Sequence, residues 1–235
     1  KIMDRKWPNC KYIGYFQART NTYAPVEVLK EKYEKILSIP NVVGLSIATR
    51  PDAISDECME YLKDLNKRTF LTVELGLQTI HPKTSKLINR CHDLECFEKT
   101  LKELQKNNIF TVVHIINGLP YETDDMMIET VKYLNKMNID GIKIHMLSVL
   151  KNTPLEEYYS RHKFHILSEE EYIDIVIKQL RHLNPKIVIQ RLTGDPTKED
   201  LIEPKWTTNK IHTLNSIDKI MSKNDLYQGD KILRN

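Results

Sequence analysis

Six short apolar segments of this chain each run into residues that could bind a charged or polar ligand. The first is followed by Gln17-Ala18-Arg19-Thr20-Asn21-Thr22, and the second by Thr49-Arg50-Pro51-Asp52. The third carries Glu74, then Gly76 and Gln78. The fourth contains His114 and leads into Asn117-Gly118-Leu119-Pro120. The fifth holds His145, with Ser148 just beyond, and the sixth continues as Gln190-Arg191-Leu192-Thr193-Gly194-Asp195. A turn needs only small polar residues or glycine. Arg19, Arg50, Glu74, Gln78, His114 and Arg191 exceed that need. Their recurrence at every segment end points to one convergent polar pocket.

Each residue also has a plainer reading. Glu74 interrupts an apolar run, and a buried, unpaired carboxylate is too costly to keep. It must face a wet pocket or meet a cationic partner, for which Arg50 and Arg90 are candidates. His114 and His145 alternate with apolar residues and can equally be satisfied core histidines. His162 and His165 have H-x-x-H spacing without an accompanying carboxylate arrangement and read as a solvated pair. Thr123 reads as a helix N-cap, with Asp124 and Asp125 at the positive end of the helix dipole. Cys10, Cys58, Cys91 and Cys96 include no C-x-x-C pair.

The elements that must position these residues alternate between strand and helix. Apolar runs at Tyr12–Phe16, Val42–Ile47, Phe70–Leu75, Ile109–Ile116, Gly141–Leu147 and Ile187–Ile189 read as strands. Between them apolar residues recur at helical spacing, as in Leu94, Phe97, Leu101 and Leu104. Helices are predicted around Asp56–Leu65 with Ser55 as N-cap, near Pro154–Tyr159, around Ser168–Leu183 and near Lys210–Ser222. This βα rhythm gives an α/β fold, a parallel sheet covered by helices. No G-x-G-x-x-G turn follows any strand, which disfavours a dinucleotide-binding sheet. Periodicity alone leaves an open sheet and a barrel both possible. In either, ligands bind at the C-terminal ends of the strands.

The chain has 235 residues and a formal net charge of +3. That mild balance does not by itself imply nucleic acid. Residues 151–235 hold Lys/Arg and Asp/Glu in near-equal number, so neither part is a basic arm. No apolar run is long enough to span a bilayer, and free thiols fit a reducing cytoplasm. The chain opens on Lys1 close to a strand, and the expectation is that a native N-terminal segment precedes it.

From the third strand onward the sequence resembles radical S-adenosylmethionine (SAM) enzymes. The residues that carry the likeness are Val73-Glu74-Leu75-Gly76-Leu77-Gln78-Thr79, then Leu87-Ile88-Asn89-Arg90-Cys91-His92, then Gly118-Leu119-Pro120 with Glu122. Oxygen-independent coproporphyrinogen oxidases and elongator-type tRNA-modifying enzymes share this pattern, and Thr49-Arg50-Pro51-Asp52 looks like the elongator-type version. The chain is most similar to a bacterial radical SAM family of uncharacterised type. The blocks are Tyr15-Phe16-Gln17-Ala18, Thr20-Asn21-Thr22-Tyr23-Ala24-Pro25, Leu192-Thr193-Gly194-Asp195, Trp206 and Asn209-Lys210.

The resemblance implies a partial (β/α)6 TIM-type barrel lacking its first βα unit, with a C-terminal helical extension. Residues 1–150 would form the barrel core, and 151–235 the last βα unit and extension of the same domain. It implies a [4Fe–4S] cluster held by a cysteine loop upstream of Lys1, and SAM chelated by that cluster. The resulting 5′-deoxyadenosyl radical would abstract hydrogen from substrate. No metal ligand is expected within this chain. Gln78 and Arg90 match positions at the SAM carboxylate, where a guanidinium fork is apt. His114 falls at the ribose, and Gly118 permits close backbone approach to adenine. Gln17, Thr20, Thr49, Arg50 and Glu74 complete the cofactor-facing set, while His145, Arg191 and Asp195 face substrate. Two departures leave amino-group and ribose recognition open. Gln17-Ala18-Arg19-Thr20 stands where a Gly-Gly turn is usual, and Ala48 replaces a glutamate. The implied activity is modification of a tRNA wobble uridine, with tRNA and a reductant such as flavodoxin or ferredoxin as partners and no membrane. The alternatives are a small-molecule or porphyrin-like substrate and a non-catalytic binding barrel.

Overall fold

The computed structural model describes residues 5–17 and 19–233, so Lys1 and Ala18 lie outside the described residues. The strands are β1 (Tyr12–Phe16), β2 (Val42–Thr49), β3 (Phe70–Gln78), β4 (Phe110–Asn117), β5 (Gly141–Met146), β6 (Val149–Leu150), β7 (Val188–Arg191) and β8 (Leu201–Glu203). The helices are α1 (Val26–Leu37), α2 (Asp56–Arg68), α3 (Pro82–Leu87), α4 (Leu94–Lys106), α5 (Asp124–Lys136), α6 (Pro154–His162), α7 (Glu169–His182), α8 (Lys210–Lys223) and α9 (Asp230–Leu233).

Six strands form one sheet in the order β1-β2-β3-β4-β5-β7. Strand order follows chain order without reversal. A doubly wound sheet needs a switch point where the order turns back. Its absence makes this the partial barrel of parallel strands, with helices in the crossovers. Each of the six predicted strands is present, four of them extended by one to three residues at the C-terminal end. The short antiparallel pair β6–β8 was not predicted.

The chain divides into two compact units, residues 1–76 with 94–112, and residues 77–93 with 113–235. In the first, Leu45 and Ile47 of β2 are fully buried and alternate with Ser46 and Ala48. This period-two pattern separates an apolar face from a face that can carry polar groups. Leu62 and Leu65 of α2 and Phe97, Leu101 and Leu104 of α4 supply its helical core. Ser55 caps α2 by accepting from the Cys58 backbone N–H at 3.2 Å, as the sequence predicts.

In the second unit, α5 starts at Thr123, whose hydroxyl accepts from Met126 N–H. Helix α7 opens with a reciprocal capping box between Ser168 and Glu171. It then buries Tyr172, Ile175 and Val176 completely. Its one fully buried polar residue is Gln179, which meets Asn117 at the end of β4. The two amides exchange paired hydrogen bonds of 2.8 Å each, and Gln179 also donates to the Met127 carbonyl at 3.0 Å. Both residues are at most 1% exposed.

Losing half of this amide pair strands the other half away from water. Gln179→Leu is expected to destabilise the protein by about 2 kcal/mol in chemical denaturation, and Asn117→Leu with Gln179→Leu by clearly less than the sum of the single changes. Additive losses would contradict this.

Candidate functional site

In the first unit, register sets the site. Tyr15 lies opposite Ser46, Ser46 opposite Thr72, and Ala48 opposite Glu74. Tyr15 and Ser46 can therefore reach the Glu74 carboxylate from the same face. Tyr15 Oη donates to Oε2 at 3.0 Å and Ser46 Oγ to Oε1 at 2.6 Å. Glu74 is 2% exposed. The two arginines expected as its partners engage other groups, since Arg50 forks onto Asp52 and Arg90 binds backbone carbonyls. Hydroxyl donors from neighbouring strands hold the charge where a salt bridge was expected.

The loops after β1 and β2 are tied together. Asn21 donates from its side chain to the carbonyls of Phe16 and Ala48. Thr22 and Thr49 share a 2.5 Å hydroxyl contact, and both are buried. Thr49 thus fixes a loop junction. Gln17 is exposed at the end of β1, and Thr20 is half-buried.

In the second unit the turn after β3 has unusual backbone. Gln78 sits at φ 66°, a left-handed geometry rare for a residue with a side chain. Arg90 secures it. Its Nη1 donates to the carbonyls of Leu77 at 2.9 Å and Thr79 at 2.5 Å, one on each side of Gln78. Its Nε donates to His92 O at 2.9 Å. Arg90 is 9% exposed. Arg90 thus shapes the turn around Gln78 through main-chain oxygens.

Thr79 links that turn to the loop after β4. Its hydroxyl donates to Glu122 Oε1 at 2.5 Å and accepts from the His81 N–H at 3.1 Å. Burial raises the Glu122 carboxyl above its ordinary range, against the lowering influence of the Thr79 and Thr84 hydroxyls and of His81. Gly118 heads the loop at φ 78°, and its N–H points at Met127 Sδ, 3.2 Å away. A Cβ there would come within 3.1 Å of the Leu167 side chain. The positive φ favours glycine here, and a side chain would also press on Leu167.

His114 and His145 pack as a pair, with Nε2 of His145 3.2 Å from Nδ1 of His114 and ring centroids 5.1 Å apart. Both are half-buried. Arg191 and Asp195 approach to 3.8 Å, and Lys210 closes on Asp195 at 2.5 Å. Trp206 packs against Tyr172 and donates its indole N–H to Leu167 O. His162 and His165 are exposed.

The Thr79–Glu122 contact was not foreseen as a site feature. The sequence signal for it is that Thr79 and Glu122 both belong to the segments that carry the family likeness. Tyr15 and Ser46 could be found only by knowing the strand register.

The pattern of the Radical SAM superfamily matches residues 1–134, and that of the Radical_SAM C-terminal domain matches residues 139–223. The chain is 48% identical over 227 residues to the uncharacterized protein YtqA of Bacillus subtilis (strain 168), covering 97% of this chain and 70% of YtqA. It is 31% identical over 149 residues to a tRNA uridine(34) acetyltransferase of Methanocaldococcus infernus, covering 62% of this chain and 27% of that protein. Among solved structures, it is similar to the archaeal Methanocaldococcus infernus Elp3 with an N-terminal deletion. The TM-score is 0.82 at 20% identity, over 97% of this chain and 57% of that one.

Radical SAM proteins use a [4Fe–4S] cluster and SAM. Clusters are held by cysteine thiolates. Among the described residues no three His, Cys, Asp or Glu side chains group as a metal site. Cys58 is buried in α2, with its thiol pushed up to about 11 by burial. The described residues therefore offer no cluster site. The second unit brings Arg90 against the main chain around Gln78 and sets His114 against His145.

Because the folded state holds the Glu122 proton more tightly than the unfolded chain, its contribution to stability is full below the ordinary carboxyl pKa of 4.5. It falls as pH rises through the higher folded value. Thermal unfolding from pH ~4 to ~7 should therefore show Glu122→Gln gaining stability relative to wild type as pH rises. A constant or shrinking difference would count against it.

Proposed function

This chain belongs to the radical SAM superfamily, and from that we propose that it serves in the modification of tRNA at the wobble uridine. The observation that carries the reading is the 31% identity to a tRNA uridine(34) acetyltransferase over 149 residues. The Elp3-like fold is compatible with it.

When bound, SAM and the cluster supply one-electron hydrogen abstraction. The chain's own residues bind and orient. Arg90 holds the carbonyls of Leu77 and Thr79, so that Gln78 keeps its left-handed geometry and its side chain is presented at the strand end for the carboxylate of SAM. Gly118 offers main chain to the adenine, with the loop behind it anchored by Thr79 and Glu122. His114 lies at the ribose. Its partner His145 fixes the His114 ring through the shared 3.2 Å contact. Arg191 and Asp195 form the substrate side of the same unit. Within the first unit, Gln17, Thr20, Thr49, Arg50 and Glu74 are that unit's own cofactor-facing candidates. Of these, Glu74 and Thr49 act by fixing strand and loop positions. A flavodoxin- or ferredoxin-type reductant supplies the electron.

A tRNA-binding protein neutralises phosphates and releases counterions, so its affinity depends steeply on salt. Filter binding of the protein to bulk tRNA is expected to weaken by at least about tenfold between ~50 and ~200 mM salt. Binding that ignores salt, or no binding, would sink the tRNA reading.

A further inference from the structure

Helix α6 buries none of its residues, although it carries Tyr158 and Tyr159. It is anchored from behind by Phe164, which is 5% exposed and packs edge-on against Tyr159 at 5.1 Å. The outward groups form an ordered set. His162 stacks on Tyr158 with centroids 4.1 Å apart and planes 15° from parallel. Lys163 Nζ lies 4.5 Å over the Tyr159 ring. Residues 158–165, Tyr-Tyr-Ser-Arg-His-Lys-Phe-His, contain two permanent cations, two imidazoles and no carboxylate. The acidic residues of the helix, Glu156 and Glu157, lie in its first turn, where Glu156 caps Asn152 N–H and Glu157 faces Arg161 at 3.6 Å.

A second element reaches the same surface. Tyr121, in the loop that Gly118 heads, is 62% exposed and held at φ 66°. A bulky side chain in the left-handed region is a strained arrangement, and strain of this kind concentrates where a ligand is met. Its hydroxyl lies 3.2 Å from that of Tyr158. No buried contact explains holding so large a ring outward.

We propose that Tyr121, Tyr158, Tyr159 and His162, with Arg161 and Lys163, form a stacking platform for unpaired nucleotides of an RNA substrate. Interleaved aromatic faces and cations are what single-stranded nucleic acid requires, the rings for bases and the charges for phosphates. A protein partner would favour a desolvated apolar centre. Here the rings of Tyr121, Tyr158 and Tyr159 each carry a hydroxyl, His162 stacks on Tyr158, and Lys163 lies over Tyr159. The inference rests on the RNA reading above and adds where the RNA lies, next to the loop that Gly118 and Glu122 define.

The test is fluorescence anisotropy with the protein expressed from its natural gene and a labelled anticodon stem–loop RNA, with the same stem closed as a blunt duplex for comparison. Tyr121→Ala combined with Tyr158→Ala is expected to weaken stem–loop binding by about tenfold or more. Tyr158→Phe, which keeps the ring, should stay within about twofold. Lys163→Ala should lower the salt dependence of binding by about one phosphate contact. Tyr158→Ala alone should leave SAM affinity and circular dichroism unchanged, separating loss of contact from loss of fold. If wild type binds the stem–loop and the double alanine variant binds it equally well, the platform is refuted while the RNA reading stands. If wild type prefers the blunt duplex, the platform is likewise refuted. If wild type binds no RNA, both are refuted.

Discussion

The site depends on one guanidinium. Arg90 binds the carbonyls on both sides of Gln78 and braces a left-handed turn that the Thr79 N–H also closes onto the Leu77 carbonyl at 2.8 Å. Buried backbone carbonyls need donors, and a turn with side chain at positive φ carries a conformational cost. Arg90 meets both conditions at once, with three donors in a rigid plane that lysine could not imitate. From this turn, Thr79 reaches to Glu122 and so to the loop of Gly118. The loops after β3 and β4 are therefore connected through a hydroxyl–carboxyl contact.

The first unit solves a related problem differently. Glu74 is a buried carboxylate surrounded by strand residues, and hydroxyls from β1 and β2 solvate it. Charge-assisted hydrogen bonds of this sort are stronger than neutral ones. They bind three adjacent strands on one face, while Leu45 and Ile47 secure β2 on the other. Nearby, the Thr22–Thr49 contact joins loops whose ends must keep a fixed spacing.

Much of this was legible in sequence. Continuous apolar runs located all six sheet strands, and Ser55 and Thr123 marked helix starts because their hydroxyls have a specific task there. The fold class followed once family resemblance chose barrel over open sheet, and strand order agrees. What escaped has physical causes. Strands β6 and β8 are two and three residues long, too short to show alternation. Helix α3 spans six residues, less than two turns. The partners of Arg90 are main-chain oxygens, which every residue possesses and no sequence distinguishes. The hydroxyl partners of Glu74 depend on strand register, which the sequence does not display. The Asn117–Gln179 pair joins residues 62 apart, beyond any local pattern.

The central claim is that Arg90 builds the SAM-facing turn through the backbone. The most direct measurement is SAM affinity of Arg90→Lys by calorimetry, alongside its unfolding stability. Lysine retains the charge but lacks the fixed plane that lets Nη1 bind both carbonyls while Nε holds His92 O. The account predicts a loss of SAM affinity of about tenfold or more, with the amide protons of residues 77–79 exchanging faster while the rest of the protein keeps its protection. Unchanged SAM affinity together with unchanged exchange in that turn would contradict it.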